Sequence, residues 1–381
     1  MTTAFVNGQV FTPAGFITGH TVLVDGGRIS AIVGDTDAHD RGSAVIDLAG
    51  QLLLPGFIDV QVNGGDGVLF NEAPTVEGIR AIAAAHSRFG TTGFLPTLIS
   101  DDLEVLARAI AAVAAAIAAG VPGVLGIHIE GPYLSEMRRG VHSAAHLLKL
   151  DARAVALLCS LDRGVTLLTL APELAPAEVL DRLAAAGVIL SAGHSNATGA
   201  EIDTARRHGL RGFTHLFNAM SQLTAREPGA VGAALGEDES YCGMIVDGKH
   251  VDPRVLKVAL RAKRHERFML VTDAMPPVGT SARSFRLQGR TINVVDGYCV
   301  DDQGTLAGTA LDMSRAVRNA MTLLELPAGE AIRMGSEYPA NFLKLGASRG
   351  RIEPGLRADL LIADGGYNIL QTWIGGRRVS P

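Results

Sequence analysis

Two textures follow one another along the chain. Up to Leu54 the apolar residues come in short alternating runs broken by turn residues, the period-two pattern of half-buried strands. Residues 5–11 carry Asn7-Gly8 at their centre. Residues 21–25 and 28–33 flank Gly26-Gly27, a hairpin signal. Residues 45–48 and 51–54 are separated by Gly50 and end at Pro55-Gly56. No helical period occurs in this part.

From Phe57 onward, apolar runs of strand length alternate with stretches of helical period. Strands are predicted at 57–62, 93–97, 123–130, 165–171, 188–193, 212–217, 241–247 and 268–272, and helices at 75–89, 103–119, 176–186, 199–208 and 253–265. Such alternation predicts an α/β fold, a (β/α)8 TIM-type barrel. A doubly wound sheet is the rival. It would usually carry a glycine-rich phosphate loop after its first strand, and Asn63-Gly64-Gly65-Asp66-Gly67 does not match that pattern. After Asp273, turns at Asp296-Gly297 and Asp302-Gln303-Gly304 mark a β-hairpin insertion. Helices follow at 312–326 and 337–344, and strand texture returns at 350–355, 358–363 and 372–379. The simplest assembly is a barrel over 56–345 and a small β-sandwich domain made by both termini, 1–55 and 346–381.

Composition agrees with this size. A barrel takes about 250 residues, so 381 leave room for one further small module. A net charge of −5 provides no field for nucleic acid or an anionic membrane, so neither is an expected partner. The alanine-rich run 109–119 falls short of the ~20 residues of a membrane span. The first eleven residues do not read as a secretory signal. Cys159, Cys242 and Cys299 are too dispersed for a disulfide framework or a thiolate metal cluster, and a reducing cytoplasm is the expected setting.

The active site of such a barrel lies at the C-terminal ends of its strands. There the sequence places Asp59, Gln61 and Asn63 on strand one, and His128 and Glu130 on strand three. His194 follows strand five, His215 lies on strand six and Asp273 follows strand eight. Burying an unpartnered polar group costs ~1–3 kcal/mol, so a cluster of them asks for a cause. Glu130, His194 and His215 make one carboxylate and two imidazoles, a set that suits zinc with a position left for water. Asp273 can take a proton and return it to a leaving amine. His142, in the loop after strand three, is placed to polarise a carbonyl oxygen. Taken singly, any of these histidines reads more readily as structural. His128 is assigned a structural or supporting place and Asp59 a buried hydrogen-bond anchor. His20, His39, His86, His146, His208 and His265 are expected at the surface.

At this point a resemblance becomes specific. Pro55-Gly56-Phe57-Ile58-Asp59 with Gln61-Val62-Asn63-Gly64 resembles the first barrel strand of the amidohydrolase superfamily. Gly350 to Leu360 resembles its return strand into the β-sandwich. Gly126-Ile127-His128-Ile129-Glu130-Gly131-Pro132, Gly140-Val141-His142, Ser191-Ala192-Gly193-His194-Ser195 and Thr214-His215-Leu216-Phe217-Asn218-Ala219-Met220 are similar to runs of one family within it, the N-acetylglucosamine-6-phosphate deacetylases. Arg226-Glu227-Pro228-Gly229, Asp247-Gly248-Lys249-His250-Val251 and Val271-Thr272-Asp273-Ala274-Met275 continue the match in order.

The resemblance implies a metal-dependent hydrolysis of the acetamide of N-acetylglucosamine 6-phosphate, with metal-activated water. Glu130, His194 and His215 would hold one divalent ion, zinc first, with Fe(II), Mn or Co sharing such ligands. Asp273 would be general base and then acid, and His142 would assist at the acetyl carbonyl. Asn218, Ala219, Arg226 and His250 would contact the sugar phosphate, with Arg226 reaching the neighbouring site of a homodimer. Leu306 and Ala307 would line the sugar pocket, and Gln61 and Asn63 join the substrate-contacting set. Many amidohydrolases have His-x-His on strand one and a lysine after strand four, holding two metals. Here Gln61-x-Asn63 stands in the first place and residues 165–173 contain no lysine. This favours one metal and argues against a cyclic amide hydrolase such as a dihydroorotase or hydantoinase. A catalytically silent sugar-phosphate binder is the rival of another class, and retention of Asp273 speaks against it.

Overall fold

The computed structural model describes residues 2–35 and 44–379. Eight parallel strands form one sheet in chain order: Phe57–Val62, Thr91–Ile99, Gly126–Glu130, Val165–Leu170, Ile189–Ala192, Leu210–Phe213, Tyr241–Met244 and Phe268–Leu270. Every residue of the first, second and third of these is buried. Parallel strands covered on both faces are buried throughout, yet the first and third still alternate apolar with polar residues, Asp59 and Gln61 on one and His128 and Glu130 on the other.

The sheet closes on itself at a thin seam. The backbone contact there is a bridge between Val62 and Ala274, whose carbonyl accepts from Asn63 N at 2.8 Å and Gly64 N at 3.0 Å. Deeper in, a side chain does the joining. The Asp59 carboxylate accepts from Thr272 N at 3.3 Å and from Thr272 Oγ1 at 2.5 Å. Burial pushes this carboxyl up to about 7, against the effect of those hydrogen bonds. The anchor reading of Asp59 therefore acquires a named partner, Thr272.

The helices cover the outside. In Leu103–Ala118, residues Leu106, Ala109, Ile110, Val113 and Ala116 are buried, the i, i+3, i+4 spacing of one helical face. Gly199–Arg207 starts at a capping box formed by Thr198 and Glu201. Ala152–Leu158, Gly229–Leu235 and Ala328–Gly335 are helices that the sequence pattern did not reveal. At seven or eight residues they are about two turns long, too short to show a period. Among the described residues no helix is long and apolar enough to cross a membrane.

Residues from both ends of the chain pair. Leu52–Pro55 lies parallel to Gln9–Thr12 and antiparallel to Leu360–Ala363 in a six-stranded sheet. A four-stranded sheet of Thr3–Val6, His20–Asp25, Arg28–Gly34 and Ala44–Asp47 packs beside it. Phe5, Val10, Ile29, Leu53, Leu360 and Trp373 share one apolar cluster between them. Residues 350–355, expected as strand, form turns instead. Gly350 and Gly355 take φ of 95° and 91°, and the backbone makes isolated bonds with Ile29.

The insertion after strand eight is a four-stranded antiparallel sheet: Ser284–Leu287, Arg290–Val295, Tyr298–Val300 and Leu306–Thr309. Its apolar side, with Leu287, Ile292, Cys299 and Ala307, packs on Ile99, Val141 and Met275 near the strand ends. This places it over the mouth of the barrel.

Candidate active site

Three of the expected residues sit just past their strands in a left-handed backbone. His194, His215 and Asp273 have φ of 49°, 36° and 51°. Such conformations cost about 1–3 kcal/mol each for residues with a Cβ and persist where the surrounding structure imposes them. They turn three polar side chains, from three strands, into one cavity. His215 thus follows strand six, which ends at Phe213, rather than lying on it.

The donors converge. Glu130 Oε1 is 2.9 Å from His215 Nε2 and 3.3 Å from His194 Nε2, and the two Nε2 atoms are 3.1 Å apart. All three residues are buried, and together they form a candidate metal site. A tetrahedral ion with bonds of about 2.0–2.2 Å requires such spacing, roughly 3.3 Å between ligand atoms. His194 Nδ1 lies 2.9 Å from the Arg138 carbonyl, which can only accept. The proton therefore sits on Nδ1, leaving the Nε2 lone pair free for a ligand bond. The residues fit one divalent ion.

Electrostatics follow from this crowding. Burial alone would raise the Glu130 carboxyl, but the two imidazoles facing it, His194 and His215, hold it well below the ordinary carboxylate range. Asp273 moves the other way. Burial raises it, and the negative Glu130 nearby raises it further. Asn63 Nδ2 donates to Asp273 Oδ1 at 2.6 Å. Gln61 Nε2 lies 3.1 Å from Asp273 Oδ1 and 3.1 Å from Glu130 Oε1, a neutral amide between two carboxylates. Burial, then the neighbouring His194, lowers His142 to about 3, so its ring is neutral near pH 7.

A cavity of about 450 Å³ contains Glu130, His142, His194, His215, Asn218, Ala219, His250, Asp273 and Leu306 in its walls. That volume is in the range of small-molecule sites. His250 is held by Asp247, whose Oδ2 lies 2.7 Å from its Nδ1. Ala307 is fully buried and its neighbours Leu306 and Gly308 line the cavity in its place. Gln61 and Asn63 reach the site through Asp273 and are not in the cavity wall. Arg226 is exposed, outside that wall, and without an ion-pair or hydrogen-bond partner among the described residues.

Other residues depart from expectation or were missed. His128 bonds Thr97 at 3.2 Å and Thr169 at 2.8 Å, inside a buried chain that continues to Thr214 and Ser191. Its structural reading stands. His86 is not at the surface: it is fully buried, with Nε2 2.9 Å from Gly64 O, and burial lowers it to about 4. His20, His146, His208 and His265 are partly exposed, and His39 lies outside the described residues. Glu173 was overlooked. Its carboxylate accepts from Ser195 Oγ and Asn196 N, both at 2.7 Å, and so braces the turn behind His194. Its place three residues past strand four was the available signal.

A model of the Amidohydrolase family matches residues 52–379. The chain belongs to that family. It is 48% identical over 326 residues to an N-acetylgalactosamine-6-phosphate deacetylase of Shewanella sp. (strain ANA-3), covering 85% of this chain and 82% of that protein. It is 33% identical over 377 residues to the N-acetylglucosamine-6-phosphate deacetylase of Haemophilus influenzae, covering 98% of each. The crystal structure of an N-acetylglucosamine-6-phosphate deacetylase from Pasteurella multocida superposes with a TM-score of 0.96 at 36% identity, covering 99% of each chain. In this amidohydrolase the strand-one amides Gln61 and Asn63 contact the Asp273 carboxylate, and the donors for an ion come from strands three, five and six.

Proposed function

We propose that this amidohydrolase is a metal-dependent deacetylase of N-acetylglucosamine 6-phosphate, releasing glucosamine 6-phosphate and acetate. The observation that carries the reading is the placement of Asp273, a carboxyl raised by burial, in one cavity with the convergent Glu130, His194 and His215. The named relatives support the substrate class.

Bound by those three residues, a divalent ion supplies Lewis acidity, acidifying water and polarising a carbonyl at neutral pH. Zinc is the ion we assign; Fe(II), Mn and Co accept the same donors. Asp273 takes one proton from the attacking water. His142 steadies the acetyl carbonyl oxygen. As the C–N bond breaks, Asp273 passes its proton to the departing sugar nitrogen. Asn63 and Gln61 hold its carboxylate in place for both transfers. His250, Asn218 and the backbone near Ala219 and Leu306 contact the sugar phosphate.

Arg226 belongs to a phosphate clamp supplied across a homodimer. Its exposure supports this, as do two exposed apolar side chains: Met137 in the cavity wall is 80% exposed and Leu223, in the Arg226 loop, 59%. We further assign 1–55 and 346–381 to one β-sandwich domain beside the barrel 56–345, and the cytoplasm as its compartment. A second reading, with the C4 epimer N-acetylgalactosamine 6-phosphate as preferred substrate, is favoured by the relative at 48% identity. No observation favours a cyclic amide hydrolase or a silent binder.

The deciding experiment is acetate release from both phosphorylated sugars, with and without a chelator. Chelator-sensitive release is expected. Absence of release from either sugar by metal-loaded protein overturns the reading.

A further inference from the structure

The tip of the inserted sheet grips the segment around His142. Gln288 and Gly289, with φ of 47° and 81°, form the tight turn between Ser284–Leu287 and Arg290–Val295. From this turn the Gln288 amide bonds in two directions. Its Nε2 donates to Ser100 O at 2.7 Å, and its Oε1 accepts from Ser143 N at 3.2 Å. A backbone carbonyl only accepts and a backbone N–H only donates, so this orientation of the amide is the one that satisfies both. Arg290, two residues on, donates to Val141 O. The turn therefore bonds the residues on either side of His142 and also Ser100.

Ser100 in turn holds the His142 ring. Its backbone N–H points at His142 Nδ1 at 3.3 Å, and its Oγ lies 2.8 Å from the same atom. The N–H can only donate, so Nδ1 is the acceptor and carries no proton. Ser100 is itself fixed, because it follows Ile99, whose N–H and C=O both bond the buried Asn71 side chain at 3.1 and 3.0 Å. A neutral imidazole without a proton on Nδ1 carries it on Nε2. Nε2 has no hydrogen-bond partner among the described residues, and His142 lines the cavity.

We propose that Ser100 and Gln288 are positioning residues that lock His142 as its Nε2–H tautomer, so that the ring donates a hydrogen bond into the cavity. This rests on the reading that His142 meets an acyl oxygen. Such an oxygen only accepts, and it gains negative charge as water adds, so a fixed N–H donor there is worth most in the transition state. The opposite tautomer would present a lone pair to that oxygen. The inserted sheet thus does more than cover the cavity: its turn determines which ring nitrogen bears the proton.

The test is two-bond proton–nitrogen NMR on metal-loaded protein labelled with 15N-histidine, with the His142 signals assigned by their loss in His142→Gln. The expected pattern is a bare Nδ1 and a protonated Nε2. Gln288→Ala and Ser100→Ala should lower kcat about tenfold, the scale of one misplaced hydrogen bond. KM and metal content should stay near wild type; signals of the second tautomer should emerge in Gln288→Ala, whereas Ser100→Ala, which keeps the backbone N–H, should retain the wild-type tautomer. A protonated Nδ1 in the wild type overturns the proposal even if neither variant folds. So do variants that fold and retain wild-type kcat. Failure of the wild type to deacetylate either phosphorylated sugar would instead sink the functional reading, and the tautomer measurement would be unaffected.

Discussion

The Nε2 atoms of His194 and His215 stand 3.1 Å apart, and both face the same oxygen of Glu130. His194 Nε2 holds a lone pair, because its proton is engaged on Nδ1 by Arg138 O. A cation between the three groups resolves the arrangement. One tightly held metal equivalent per chain is expected, since Gln61 and Asn63 are neutral amides and bind transition metals more weakly than imidazole. Elemental analysis after dialysis checks this, and two retained equivalents would contradict it. Metal removal should abolish turnover and lower the melting temperature. Free metal at 100 times its Kd stabilises by about 2.7 kcal/mol.

Asp273→Asn should keep the metal and the fold but lose turnover. Asparagine can reproduce the shape and accept the Asn63 hydrogen bond through its amide oxygen, but it does not take a proton. A loss of ~10²- to 10⁴-fold in kcat is expected for a general acid–base group. Near-wild-type kcat in metal-loaded protein would remove Asp273 from the proton path.

Burial lowers His86 from 6.5 to about 4. In the unfolded chain this imidazole takes up its proton first as pH falls. Its contribution is therefore complete above 6.5 and lost as pH drops toward about 4. At ~1.36 kcal/mol per pKa unit the loss amounts to as much as roughly 3 kcal/mol. His86→Gln can still donate to Gly64 O and does not titrate. Urea unfolding at several pH values should show a shallower decline for this variant between 6.5 and 4. Parallel declines would mean that His86 is protonated in the folded protein.

Arg226→Ala should separate phosphorylated from unphosphorylated N-acetylglucosamine. A charge-assisted bond to phosphate contributes ~1.5–3 kcal/mol, a loss of roughly 10- to 150-fold at ~1.4 kcal/mol per decade. Because the phosphate is remote from the amide, part of the loss can fall on kcat. Little change is expected on the unphosphorylated sugar. Equal losses on both would assign Arg226 to the fold or to an interface.

Much of the site was legible because barrel geometry converts strand ends into neighbours. Glu130 ends a buried strand, and His194 and Asp273 follow such strands, so their types and positions stood out. His86 was misread for a related reason. It sits near the end of a helix that reads as amphipathic, and the backbone it meets, Gly64, is 22 residues away. Ser100 and Gln288 carried no signal of their own, since a hydroxyl and an amide are ordinary loop residues until their partners are known.

The sequence by itself determined the order of the eight barrel strands and the longer helices, the closed parallel sheet and the residue types that meet at its mouth. Periodicity and turn chemistry act over a few residues, and a (β/α)8 arrangement leaves little freedom in how successive units are laid side by side. What only the tertiary structure decided depends on distances of a few tenths of an ångström between residues far apart in the chain. The left-handed backbone at His194, His215 and Asp273, the Asp59–Thr272 seam and the hold of Gln288 on the His142 segment are of this kind. Hydrogen bonds fix a proton's position only when donor and acceptor come into close approach, and no local pattern encodes which distant partners will meet.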